Sequence, residues 1–229
     1  MELNSDFSKR VVVHSDRLKW QPSPMAGVER RMLDRVGDEV ARATTIVRYA
    51  PNSKFSAHVH SGGEEFIVLD GIFQDEHGDY PTGSYIRNPT QSKHTPGSED
   101  GCIIFVKLWQ FDLEDRHAVK ISADEMPGIT DPQREGVLIM PLYQDEREEV
   151  CIEKWSSNTE VIINTFKGAE LLVLSGSLTE GEDELVTNSW LRVPINSHII
   201  AKAGNHGAKV WIKKGHLPFI SIPSRKITR

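Results

Sequence analysis

Gly63-Glu64-Glu65-Phe66-Ile67-Val68-Leu69-Asp70-Gly71 is answered 105 residues further on by Gly168-Ala169-Glu170-Leu171-Leu172-Val173-Leu174-Ser175-Gly176. Gly, Glu, the Val-Leu pair and the closing Gly keep their places. The match runs on without a gap, with Thr82 falling on Thr187, Ser84 on Ser189, Arg87 on Arg192, Pro89 on Pro194 and Ser92 on Ser197. Self-similarity at one fixed offset marks a duplicated structural unit. The unit reads as strands, because the quoted run is rich in Val, Ile, Leu and Phe and is bounded by glycines. Gly83 faces Asn188 on the same register, and these residue types most readily enter the left-handed conformation of a tight turn. Each copy is therefore expected to turn at that point.

Outward from this segment, runs at 44–49, 66–69, 83–87 and 103–111 carry the β-branched and aromatic residues of strands. Pro51-Asn52-Ser53, Ser61-Gly62-Gly63, His77-Gly78-Asp79 and Asn88-Pro89 stand between them as turns, at the spacing of an all-β sandwich or barrel. Only 122–125 and the stretch after Asp131 suggest a turn of helix, and Pro127, Gly128 and Pro132 keep it short. The segment from Met126 to Gly136 reads as the linker, giving domains 1–125 and 126–229. A chain of 229 residues has room for two cores.

Charged residues make up 26% of the chain and hydrophobic ones 38%, the mixture of a folded globular protein. A net charge of −6 without a sustained Lys/Arg cluster removes the main attraction for nucleic acid, so no such partner is expected. No apolar run approaches the roughly 20 residues that span a bilayer, and Met1-Glu2-Leu3-Asn4-Ser5-Asp6 lacks the segments of a signal peptide. The expectation is a cytoplasmic protein with no membrane contact. Cys102 and Cys151 belong to no Cys-x-x-Cys pair, so two reduced, buried thiols are expected rather than a disulfide or a thiolate zinc site.

The chemistry lies in His58-Val59-His60-Ser61-Gly62-Gly63-Glu64. Side chains two apart on a strand share a face, so His58 and His60 point the same way. Ser61-Gly62-Gly63 can reverse the chain and bring Glu64, at the start of the next strand, back beside the imidazoles. His94, after another strand pair, can close the set. Neutral imidazole suits zinc, iron, copper, nickel and manganese to different degrees, and a carboxylate adds the hard oxygen that favours divalent first-row metals. A lone His on a strand is usually a surface or core residue, but a hairpin carrying two His and a Glu, with a third His downstream, reads as a metal site.

The same residues carry a family resemblance. His58 to Glu64, with Gly71 following after six residues, resembles the first cupin motif. Asp79-Tyr80-Pro81-Thr82-Gly83, then Arg87-Asn88-Pro89 and His94, resembles the second motif as it occurs in the cupin-like domain of the ChrR family of bacterial anti-sigma factors. The run from Gly62 to Pro81 is similar to that subfamily, and the resemblance covers residues 20 to 115 or so. It implies an all-β chain of two tandem cupin barrels, of the double-stranded β-helix or jelly-roll kind. It further implies one divalent ion on His58, His60, Glu64 and His94, zinc first, with iron, manganese and nickel as alternatives. The role implied is sensory, in an anti-sigma-factor-type transcriptional response to oxidative stress, with a regulatory protein partner and a homodimeric state. ChrR-type proteins grip a sigma factor through an N-terminal helical domain with a His/Cys zinc site. The first forty residues here hold no Cys, so sigma binding by such a domain is not expected. Cupins also include iron dioxygenases acting on small chelating substrates, which is the alternative function. A metal that only staples the barrel is the third reading.

The second copy serves as an internal control. His58 becomes Ile163, His60 becomes Thr165 and Glu64 becomes Ala169, while Glu65 persists as Glu170. Glu64 is therefore assigned to the metal, Glu65 to a structural or surface role, and the 126–229 domain is expected to hold no metal. His94 falls on Ile199 without a gap, or on His198 as a leftover ligand if one residue is deleted. His77, with Asp75, Glu76 and Asp79, reads as a solvated hairpin tip. His14, His117, His206 and His216 lie outside any ligand-like spacing.

Overall fold

The computed structural model describes residues 1–38, 40–122 and 126–220. Every strand pairing in it is antiparallel. Among the described residues, helix is confined to single 3-10 turns at Ser15–Arg17 and Leu217–Phe219. The expected helical turn after Asp131 is a tight loop instead. The Asp131 carboxylate accepts the backbone N–H groups of Gln133 and Arg134 at 2.8 and 3.2 Å, a side-chain turn that competes with helix. The other helical expectation, at 122–125, falls mostly outside the described residues.

The chain divides into two compact units, the first drawing on 1–5 and 19–122 and the second on 6–18 and 126–220. In the first, the sheet runs Glu2–Leu3, Val28–Gly37, Ala41–Tyr49, Cys102–Leu108, Glu64–Asp75, Ser84–Asn88, Val119–Ser122. In the second it runs Ile129–Thr130, Val137–Gln144, Glu149–Trp155, Ser197–Lys214, Ala169–Glu180, Ser189–Val193, Val11–His14. Ile129–Thr130 lies inside the stretch read as linker. All four strand expectations fall on observed strands, although the last stops at Leu108 rather than 111. There the chain turns out of the sheet, with Trp109 at a φ of +59°.

The duplication is visible strand by strand. Glu64–Asp75 and Ala169–Glu180 are both twelve residues long, and Gly78–Pro81 and Ser84–Asn88 have their counterparts in Asp183–Val186 and Ser189–Val193. Gly83 and Asn188 both turn left-handed, with φ of +87° and +65°. Each sends its N–H to the equivalent carbonyl, Val68 at 2.9 Å and Val173 at 2.8 Å. Gly71 and Gly176 recur for a steric reason as well as a positive φ. A Cβ on either would lie 2.2 Å from a carbonyl oxygen of the neighbouring strand, that of Gly101 or Gly207, where a sheet irregularity lets the strands approach.

The strand next to Ser189–Val193 comes from the amino-terminal segment. Val11 to His14 pair with Arg192 to Ser189, in the same register in which Val119 to Ser122 pair with Arg87 to Ser84. A division at 125/126 therefore leaves out of the second unit a strand of its sheet.

Each unit has an apolar core cluster, Phe66, Val68, Phe73, Ile86 and Ile104 with their neighbours in the first and Val161, Leu171, Val173, Leu191 and Val210 with theirs in the second. The repeated charged positions are also buried. Glu65 stands across from Arg87 and from Lys107 on the flanking strands, and Glu170 stands likewise across from Arg192 and Lys213. All six side chains are buried. The Tyr85 hydroxyl donates to Glu65 Oε1 at 2.5 Å, and Trp190 Nε1 donates to Glu170 Oε2 at 3.2 Å. Glu65 is structural, not a surface residue, because a buried carboxylate is held only where cations and donors surround it.

Candidate metal centre

A glycine turn and two short paired strands build the site, and the expected hairpin does not form, because His58–Val59 pairs with Lys93–His94 and not with the strand that opens at Glu64. Gly63 takes a φ of +75° and turns the chain from His58–Val59 into the strand that opens at Glu64. Lys93–His94 pairs with His58–Val59 and sets His94 directly across from His58. The four predicted residues come together: one donor atom from each of His58, His60, Glu64 and His94 lies within 4.8 Å of the others. Tetrahedral donors each about 2.1 Å from one ion stand about 3.4 Å apart, so the widest pair would close by no more than about 1.4 Å for the set to share an ion. His58 is exposed, whereas His60, Glu64 and His94 are buried, so the cluster meets solvent on the His58 side.

The distances place Glu64 at the centre. Its Oε2 lies 3.2 Å from His60 Nε2 and 3.5 Å from His94 Nε2. The three imidazoles stand edge to face with centroids 4.6 to 5.0 Å apart. His60 Nε2 and His94 Nε2 are buried and have no hydrogen-bond partner, a costly arrangement in an apolar interior. A cation among them would use those lone pairs, and this is the observation by which the residues fit a metal.

Neighbouring groups fix the rings. The Ser92 hydroxyl donates to the Pro89 carbonyl at 2.5 Å, so its oxygen is left to accept His60 Nδ1–H at 3.0 Å. Nε2 of His60 then carries the lone pair and faces Glu64. His58 Nδ1 lies 3.4 Å from the Ser56 carbonyl, and His94 Nδ1 faces Asp75 Oδ2 at 3.4 Å. Asn88 Nδ2 donates to Glu64 Oε2 at 3.1 Å. Such partners set tautomer and orientation in metal sites. Burial pushes the Glu64 carboxyl up, but the adjoining His60 and His94 rings and the Asn88 amide together bring it down to about 2. His94 is held below the ordinary histidine range by burial, helped by His60 and His58 and opposed by Glu64 and Asp75. A charged carboxylate beside a neutral imidazole is the state that binds a metal.

Sequence reasoning missed Asp75, whose side chain is only 4% exposed and is no part of a solvated tip. Ser92 and Asn88 also went unassigned as supports. The repeat holds a signal for one of them, since Asn88 becomes Val193 where the ligands are lost.

In the second unit Ile163 pairs with Ile199 as His58 pairs with His94, so Ile199 is the counterpart of His94. His198 corresponds to Lys93, pairs with Asn164 and is exposed, which removes the leftover-ligand reading. Ile163, Thr165, Ala169 and Ile199 are all buried and fill the place of the four donors. His216 Nε2, 2.8 Å from Glu170 Oε1, belongs to the buried charge group.

Residues 8–112 match the family described as the ChrR Cupin-like domain. Among solved structures, a proposed dioxygenase from Nostoc punctiforme PCC 73102 superposes with a TM-score of 0.75 at 14% identity, covering 95% of this chain and 87% of its own. Protein Ylba from Escherichia coli does so with 0.68 at 15% identity, covering 91% and 92%. The Escherichia coli pirin YhhW in complex with nickel(II) gives 0.65 at 11% identity, covering 90% and 98%. No curated protein matches the chain. By its strand order and by these likenesses the chain has the all-β cupin fold, with the ChrR Cupin-like match confined to residues 8–112.

Proposed function

We propose that the first unit binds one divalent first-row metal through His58, His60, Glu64 and His94, and that the chain is a metal-dependent regulatory protein of the ChrR-like cupin type. The observation that carries the metal is the pair of buried Nε2 atoms without hydrogen-bond partners, on His60 and His94, aimed at Glu64. The match to the ChrR Cupin-like domain supports the regulatory part. Zinc is the first candidate, since three imidazoles and a carboxylate suit it. Its loss would leave one carboxylate and three rings without the charge that holds them, altering the surface around exposed His58. An oxidant acting here would meet the ligands rather than the thiols. Cys102 and Cys151 are buried, and burial pushes the Cys102 thiol up to about 11, far from a reactive thiolate.

One observation favours a second reading, an iron dioxygenase: the proposed dioxygenase from Nostoc punctiforme resembles the chain over 95% of its length. Iron would supply oxygen chemistry, and the four residues would hold it with His58 at the solvent side. Elemental analysis of protein purified without a metal-affinity tag separates the two. About one equivalent of zinc supports the regulatory reading and iron supports the dioxygenase. His58→Ala should weaken binding at least tenfold. A metal-free wild type that takes up neither ion would overturn both.

A further inference from the structure

We propose that Asp75 is a positioning residue for His94, holding the ring in the Nδ1–H tautomer so that Nε2 faces Glu64. The inference rests on the metal-binding reading but concerns a group outside the four donors. Asp75 ends the strand that Glu64 begins, eleven residues along the same sequence, and its side chain is only 4% exposed.

Its two oxygens are used differently. Oδ1 accepts the His77 backbone N–H at 2.8 Å and the Tyr80 hydroxyl at 3.1 Å, while the Lys120 ammonium donates to that hydroxyl. These bonds anchor the carboxylate to the hairpin. Oδ2 is turned the other way and faces His94 Nδ1 at 3.4 Å, and that buried nitrogen makes no hydrogen bond elsewhere. A carboxylate behind a ligating imidazole accepts its N–H, fixes the tautomer and raises the basicity of the other nitrogen. Phe73 packs beside the His94 ring, with centroids 5.7 Å apart, and limits its swing.

The second unit shows what the position does without a histidine to serve. The counterpart of Asp75 is Glu180, whose carboxylate pairs with Arg10 at 2.5 Å, and the counterpart of His94 is Ile199. The acidic residue therefore suits either unit, but only the shorter aspartate lies beside an imidazole. A purely structural reading makes Asp75 nothing more than the cap of its turn, through the His77 N–H.

Asp75→Asn separates the two roles. The amide oxygen can still accept the His77 N–H, but the NH2 group cannot accept from His94 Nδ1 and favours the opposite tautomer. Zinc affinity, read by chelator competition, should fall about 10- to 100-fold, with the circular dichroism spectrum unchanged. Asp79→Asn is the control, because Asp79 lies in the same hairpin and accepts from Gln74 Nε2 at 2.8 Å; it should bind zinc like the wild type. If Asp75→Asn disturbs the fold, Tyr80→Phe, which removes only the hydroxyl that steadies Oδ1, should still lower affinity severalfold. Long-range 1H–15N spectra of the metal-free protein read the ring directly, and His94 should carry its proton on Nδ1 in the wild type and on Nε2 in Asp75→Asn. The proposal is overturned if Asp75→Asn binds zinc as tightly as the wild type, or if wild-type His94 is protonated on Nε2. A wild type that takes up no metal but shows the expected tautomers sinks the metal reading and leaves the role of Asp75 standing.

Discussion

The two units share strand order, turns and a buried charge group, yet at the four positions where the first presents His58, His60, Glu64 and His94 the second presents Ile163, Thr165, Ala169 and Ile199. The difference teaches that the charge group serves the fold and the donor set serves something else. Glu65 and Glu170 are neighbours in sequence of Glu64 and Ala169, and both point away from the donor positions because alternate residues of a strand face opposite sides. One carboxylate is kept in both units and the adjacent one in only one.

The largest expected effect tests the shared part. Glu170→Ala removes the buried carboxylate that stands across from Arg192 and Lys213 and lies against His216 and Trp190, and Glu65→Ala removes the one across from Arg87 and Lys107 that accepts from Tyr85, while Asp115 stays on Arg87 and Glu148 on Lys213. Breaking a buried ion pair from one side costs about 3–5 kcal/mol, so urea unfolding should show losses of that size in both variants, with or without chelator. A loss confined to one unit would break the equivalence.

An intermediate effect comes from converting the first unit to the chemistry of the second, His58→Ile, His60→Thr, Glu64→Ala and His94→Ile together. Metal uptake should vanish. Stability in the absence of metal should rise by about 1–3 kcal/mol, the penalty of a buried polar group without a partner. A converted protein that is less stable than metal-free wild type would mean that the donors hold the barrel together by themselves.

The smallest effect is in pH. For metal-free protein, His94 is depressed from its ordinary 6.5 by burial, so the unfolded chain takes up that proton first. Its contribution is fully present above pH 6.5 and is lost as pH falls through the lower folded value. Glu64 is brought from 4.5 to about 2, so its contribution is present above pH 4.5 and fades as pH falls toward 2. Denaturant midpoints measured against pH should therefore fall more steeply for the metal-free wild type than for the converted variant, which lacks both groups. Parallel curves would remove these two residues from the acid sensitivity of the fold.

The duplication and the donor set were legible because both are local: a fixed offset exposes one, and the spacing of two His and a Glu across a glycine turn exposes the other. Glu65 could be separated from Glu64 by the repeat, but its burial could not, since the cations facing it come from strands at Arg87 and Lys107. Asp75 was hidden for the same reason. In sequence it sits among Glu76, His77 and Asp79 and reads as solvent-facing, and only the pairing of Gly97 with Gln74 at the end of the long strand brings it behind His94. His198 was ambiguous until strand pairing placed it opposite Asn164. The membership of Val11–His14 in the second sheet had no local signal at all, because a short valine run does not say which edge it will join.

That last strand has a consequence for how the molecule is made. Val12 leaves the ribosome long before Leu191, its partner across the sheet, so the segment must wait while nearly the whole polypeptide is synthesised. Closing so large a loop costs only slightly more entropy than closing a moderate one, but contacts this distant slow folding. Until they form, the Ser189–Val193 edge is open to strands of other nascent chains. The completion of the second sheet is therefore a step at which this protein is open to misassembly during its own synthesis.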